Sequence, residues 1–144
     1  MNIYFACSIT GGREFDPVYR LICAALMSDG HVVPTAHLAD SNVKMFEGQV
    51  DPREIFERDT AWIRGCQVLV AEVSTPSHGV GYEIGFALSL GKNVLCLHRQ
   101  GCKVSKMILG NPHPQLTIRS YTTIEQAVHL LHTYLAGQDS DGAE

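Results

Sequence analysis

A chain of 144 residues, 45% hydrophobic and 18% charged, is the size of one ordinary domain and can bury a core without disulfide staples. Its net charge of -4 argues against a surface built for a nucleic-acid polymer, although a free nucleotide needs only a few local donors. No run approaches membrane-spanning length, and the start Met1-Asn-Ile-Tyr-Phe5 lacks the basic and long apolar regions of a signal peptide.

The cysteines Cys7, Cys23, Cys66, Cys96 and Cys102 are odd in number, form no C-x-x-C pair and sit mostly in apolar runs. They are expected as reduced core thiols of a cytoplasmic protein. His129 and His132 fall three apart on an expected helix but lack the carboxylate context of a zinc site, so no metal is expected.

In chain order, residues 2–7 are a short apolar run read as the first strand, central in the sheet, and ending in the glycine-rich turn Ser8-Ile-Thr-Gly-Gly-Arg13. Over residues 15–27 the apolar positions Val18, Leu21, Ile22, Ala25 and Leu26 follow helical spacing, and Asp29-Gly30 stops the helix. His31-Val-Val-Pro-Thr35 is expected as a second strand, and residues 36–50, weakly periodic, as a mobile loop over the site. Asp51 is a good cap, Pro52 suits a first turn, and Ile55, Phe56, Ala61, Trp62 and Ile63 give an amphipathic helix ending near Gly65. Val68-Leu-Val-Ala-Glu-Val73 is a buried strand. Residues 93–97 and 116–118 are expected as strands four and five, 104–109 as a short helix and 124–135 as a closing helix.

This alternation predicts an α/β domain over residues 1–136, a Rossmann-like or flavodoxin-like five-stranded parallel sheet with helices on both faces. A disordered polar tail is expected over 137–144. Ligands in such sheets bind beyond the carboxyl ends of the strands, where strand order reverses. That rule selects residues 4–13, His37 and residues 74–83.

The stretch Ser74-Thr-Pro-Ser-His-Gly-Val-Gly-Tyr-Glu-Ile-Gly-Phe-Ala-Leu-Ser-Leu90 organises the chain. Gly79 and Gly81 permit a sharp turn, and Ile84, Ala87 and Leu88 start a helix. Glu83 is expected in the first helical turn, ionised near the positive end of the dipole, with Ser77 and nearby amides able to hold a phosphate. Glycine-rich turns of this kind also occur in α/β proteins that bind nothing there, and the residues alone leave both readings open.

Tyr4-Phe-Ala-Cys-Ser-Ile-Thr-Gly-Gly-Arg13, Glu57-Arg-Asp-Thr-Ala-Trp62 and Glu72-Val-Ser-Thr-Pro-Ser-His-Gly-Val-Gly-Tyr-Glu-Ile-Gly85, in that order, resemble the nucleoside 2-deoxyribosyltransferase superfamily. The likeness is strongest to its 2'-deoxynucleoside 5'-phosphate N-hydrolase branch and runs from about residue 2 to residue 135. It implies that Glu83 is the nucleophile at the anomeric carbon, that Asp59 assists departure of the base, and that Tyr4 lines the sugar site and orients Glu83. It places Ser8, Ile9, Thr10, Gly11 and Arg13 at base or sugar, His37 near the base, and Ser77 with the amide of Gly79 at a 5'-phosphate. Ser105 is placed at the same phosphate from the second subunit of a homodimer.

The expected activity is hydrolysis of a nucleoside 5'-monophosphate to free base and sugar 5-phosphate through a glutamyl-enzyme, without cofactor. Thr10 and Cys7 stand where the deoxynucleotide hydrolases carry arginine and glycine, which leaves base and sugar preference open. Without the resemblance, Asp59 also reads as a solvated helix residue paired with Arg58 or Arg64, Tyr4 as a core aromatic, His37 as an exposed loop residue, and Ser105 as a helix cap. A ribonucleotide N-glycosidase of CMP type, a base-exchange transferase and a non-catalytic nucleotide-binding module are the alternative functions.

Overall fold

The structure, a computed structural model, describes residues 1–40 and 42–141. Four parallel strands lie in the order β1 (Ile3–Ala6), β2 (Val68–Glu72), β3 (Asn93–Arg99) and β4 (Leu116–Tyr121). Ala6 pairs with Ala71, which in turn pairs with Cys96, so the three carboxyl ends finish side by side. The helices are α1 (Asp16–Ser28), α2 (Val43–Glu47), α3 (Pro52–Gly65), α4 (His78–Ser89), α5 (Lys106–Leu109) and α6 (Ile124–Asp141).

The expected second strand is a correction: the sheet has four strands, not five, and β1 is at the end of the ladder rather than central. Residues 31–35 make one parallel bridge, Asn2 to Val32, in which Ile3 N donates to Val32 O at 2.8 Å. Pro34 has no N–H to continue the ladder. Phe5 N instead donates to the Thr35 hydroxyl at 2.9 Å, a side-chain bond that satisfies the strand edge. The reversal of strand order survives only as that bridge beyond β1.

The expected mobile loop over residues 36–50 is also corrected, for the described part of it holds a 3-10 turn at Ala36–Ala39 and then α2. Arginines from the first half of the chain tie it down. Arg13 Nη2 donates to Leu38 O at 3.2 Å and Asp40 O at 2.9 Å, and Arg20 Nε donates to Ala39 O at 3.3 Å. The closing helix α6 continues to Asp141, past Gly137 where the sequence reading began a disordered tail, and residues 142–144 of that tail lie outside the described residues. No helix among the described residues is long and apolar enough to cross a membrane.

Strand alternation sorts the core into two clusters. Ile3, Phe5, Val68 and Val70 face α1 and α6 with Tyr19, Ile22 and Leu131, while Tyr4, Ala6, Leu69 and Ala71 face α3 and α4 with Ile63, Ile84 and Ala87. Tyr4 is thereby committed to the face that carries Asp59 and Glu83. Glu72, in register with Val68 and Val70, is committed to the other. All five cysteines are free thiols; Cys7, Cys23, Cys66 and Cys96 are buried, and burial pushes the Cys23 thiol up to about 12.

Candidate active site

Tyr4 is fully buried, with its hydroxyl toward Glu83. Burial first, then the charges of Glu83 and Asp59, raise its pKa far above the ordinary phenol range, so it is a neutral O–H donor. α4 begins at His78, which puts Glu83 in the second turn, not the first as expected. The favourable end of the dipole fades within one turn, and burial there dominates. Burial raises the Glu83 carboxyl to about 7, Asp59 adds to the rise, and the Tyr4 hydroxyl opposes it. The expectation of a plainly ionised Glu83 is therefore corrected: burial favours its neutral form against the ordinary carboxylate. Tyr4 Oη and Glu83 Oε2 are buried without a well-formed hydrogen bond, so each keeps capacity for a ligand.

Asp59 reaches this point because α3 starts cleanly. The Asp51 side chain accepts from Arg53 N at 2.9 Å, and Pro52 occupies the first helical position. Arg58 Nε donates to Asp59 Oδ1 at 2.8 Å, so Asp59 is paired with Arg58 as its surface reading expects, but it is half-buried rather than solvated. The same guanidinium donates through Nη2 to Glu47 Oε1 at 2.9 Å and sits 4.9 Å over the Trp62 ring. His37 Nε2 lies 2.6 Å from Glu47 Oε1 and its ring meets Trp62 edge-on at 6.1 Å. Burial works to raise the Glu47 carboxyl, but the bonds from His37 and Arg58 outweigh it and hold it below its ordinary value. Glu47, Arg58 and Trp62 were absent from the sequence-derived site. Trp62 and Arg58 share one helical face with Asp59 and could have been found from spacing, whereas nothing in the weak periodicity of residues 36–50 marks Glu47.

The turn after β1 is wedged against the turn after β2. Ser8 is buried and its Oγ accepts from Gly11 N at 3.2 Å. A Cβ on Gly11 would come 2.6 Å from Thr75 Cγ2 and 2.7 Å from Ser8 Oγ, so this position tolerates no side chain. Gly12 follows with φ +105°, a left-handed conformation that favours glycine. Ile9 is half-buried and Thr10 exposed at the tip. Arg13, expected at the substrate, is engaged in the scaffold, with Nε 2.6 Å from Asp16 and its remaining nitrogens on the carbonyls of Ser8, Leu38 and Asp40.

Ser77 caps α4, its Oγ accepting from Val80 N at 3.3 Å. The amides of His78 and Gly79 precede Gly81 N, the first intrahelical donor, which bonds to Ser77 O at 3.2 Å, and remain available to an anion. A groove of about 1140 Å³ opens from this point, with Ser77 on one wall and Ser105 on the other. Glu83 does not line it. The carboxyl lies on the Gly79 flank of α4, where a Cβ at Gly79 would be 3.6 Å from Glu83 Oε1. Ser105 caps α5, its Oγ accepting from Met107 N at 3.2 Å.

A second buried acid, Glu72, sits at the carboxyl end of β2 on the opposite face of the sheet. It accepts from Ser74 N at 3.0 Å and from the Ser74 hydroxyl, which in turn accepts from Arg99 N at 2.8 Å. Burial raises its pKa to about 7, against these hydrogen bonds. Because the folded value exceeds the unfolded one, its contribution to stability is full below about 4.5 and is lost as pH rises through about 7. Glu72→Gln is expected to raise the Tm at pH 8 by several degrees and to change it little at pH 4, as thermal melts at the two pH values will show.

A family model described as Nucleoside 2-deoxyribosyltransferase matches residues 3–119. Over 119 residues the chain is 40% identical to a protein of Methanococcoides burtonii that carries the name "Putative 2'-deoxynucleoside 5'-phosphate N-hydrolase 1", an alignment covering 83% of this chain and 98% of that one. It is 38% identical over 138 residues to the 5-hydroxymethyl-dUMP N-hydrolase of Danio rerio, with 93% and 95% of the two chains covered. Among solved structures, the CMP N-glycosidase of Clostridium botulinum matches with a TM-score of 0.73 over 93% of this chain and 99% of the other; at 18% identity the likeness is one of fold. The matched span runs from β1 into β4 and takes in Tyr4, Asp59 and Glu83, and on that ground the chain belongs to the nucleoside 2-deoxyribosyltransferase family.

Proposed function

We propose that the protein is an enzyme that hydrolyses the N-glycosidic bond of a 2'-deoxynucleoside 5'-monophosphate, giving free base and 2-deoxyribose 5-phosphate. The observation that carries this reading is a buried carboxyl at Glu83, poised near neutrality, beside a second acid and a neutral phenol and one turn from free helix amides. Cleavage passes through an oxocarbenium-like centre, which a carboxylate stabilises or attacks. Ionised Glu83 bonds to the anomeric carbon as the bond to the base breaks, and Asp59 supports the proton or hydrogen bond that the leaving base needs. Water then replaces Glu83 on the sugar, and no cofactor enters the balance. The Tyr4 hydroxyl steadies the carboxylate that each half-reaction regenerates or consumes.

Ser77 and the amides of His78 and Gly79 hold the 5'-phosphate at the end of α4. His37, Ser8, Ile9, Thr10 and Gly11 border base and sugar, while Arg13 serves by fixing the turn. A homodimer would cover the groove, where Met107 is 84% exposed, and bring a partner's Ser105 to the phosphate. Reduced thiols fit a cytoplasmic location.

The test is base release, followed by HPLC, from every ribo- and deoxyribonucleoside 5'-monophosphate, from 5-hydroxymethyl-dUMP and from the matching nucleosides. Monophosphates are expected to be favoured, deoxy over ribo, and Ser77→Ala is expected to raise KM for the monophosphates by about tenfold while leaving nucleosides unaffected. Preference for ribonucleotides points to an N-glycosidase of CMP type. Faster turnover of nucleosides with transfer to an added base would make the chain a transferase, and tight binding without any release a binding module.

A further inference from the structure

Apart from His37, no residue of α2 or the 3-10 turn before it enters the proposed chemistry, yet α2 ends on a nearly buried carboxylate, Glu47, paired with Arg58 of α3. Glu47 Oε1 faces His37 Nε2 at 2.6 Å and accepts from Arg58 Nη2 at 2.9 Å. Arg58 turns its other edge, Nε, to Asp59 Oδ1 at 2.8 Å. A planar guanidinium gripped by carboxylates on two edges cannot rotate without breaking one of the pairs. Trp62 closes its face at 4.9 Å. Asp59 Oδ1 is thus committed, and among the described residues Asp59 Oδ2 has no hydrogen-bond partner. The charge of Asp59 already acts on both Glu83 and Tyr4.

We propose that Glu47 is a positioning residue for glycosidic cleavage. It clamps Arg58 so that Asp59 turns one fixed, free oxygen toward the departing base, and it makes the folding of segment 36–47 over α3 a condition for assembling the site. This rests on the role given to Asp59 above.

Because Glu47 acts through Arg58, its loss must matter only while Arg58 is present. Glu47→Gln and Arg58→Gln are each expected to lower kcat by about tenfold, with KM changed by less than about threefold, since the phosphate-holding groups are untouched. The double variant Glu47→Gln/Arg58→Gln is expected to lose no more than either single variant. Multiplying losses in the double variant overturn the proposal in favour of separate roles, such as anchoring His37. Wild-type kcat in either single variant also overturns it, which keeps the test decisive should the other fail to fold. A fall confined to the Tm, with kcat intact, does the same. Failure of the functional reading looks different: the wild-type protein itself then releases no base from any monophosphate.

Discussion

Glu83→Ala is expected to abolish base release, lowering kcat/KM by on the order of a thousandfold or more, while the fold remains intact. Among the described residues no other carboxyl shares its position beside both Tyr4 and Asp59, so none of them replaces it at the anomeric carbon. The same burial that prepares the group carries a stability cost. With a folded pKa of about 7 against an ordinary 4.5, the folded protein holds this proton more tightly than the unfolded chain does. Its stability contribution is full below about 4.5 and falls away as pH rises through about 7, by on the order of 3 kcal/mol above that range. Glu83→Ala should therefore melt higher than wild type at pH 8 and not at pH 4. Attack needs the ionised carboxylate, so wild-type kcat/KM is expected to rise with pH through an acid limb near 7. Stopped assays and melts across this range test both, and an active Glu83→Ala removes the nucleophile assignment.

Gly11→Ala is the second large effect. The added methyl collides with Thr75 and Ser8 at 2.6 and 2.7 Å and crowds the Pro76 carbonyl at 3.1 Å, so the turn after β1 and the turn after β2 must part. Overpacking of this kind costs about 1–3 kcal/mol. Ser77 and the amides of α4 follow Pro76 directly, and a displacement of about 1 Å there is expected to lower kcat/KM by about a hundredfold. A melt and a kinetic run on the same sample separate the two losses. Unchanged kinetics would show that the turns move independently.

Much of the scaffold was legible in the residues themselves. Asp51-Pro52, Ser105 in its reading as a helix cap and the β-branched run before Glu72 act through local hydrogen bonds and sterics, and each element appears near its expected place, whereas the cap at Ser77 was not foreseen. The grouping of Tyr4, Asp59 and Glu83 was legible only through the family resemblance that the three motifs carry. Strand parity then explains it, since an even position in β1 faces the helices that carry the two acids. The fifth strand failed because Pro34 removes a ladder donor and the Thr35 hydroxyl accepts from Phe5 N in place of a backbone carbonyl, effects that apolar content does not register. The loop over residues 36–50 failed because its order comes from distant arginines, Arg13 and Arg20, and from the pairing of Glu47 with Arg58.

By itself, then, the sequence determined the alternating α/β order and the capped start of the helix at Asp51-Pro52, because these depend on neighbours a few positions away. Only the tertiary structure decided the burial that raises the Glu83 carboxyl, the scaffold contacts of Arg13 and the link from Glu47 through Arg58 to Asp59. Those depend on burial and on charges brought together from remote segments, and Coulomb energy in a desolvated site is set by distance in space rather than along the chain.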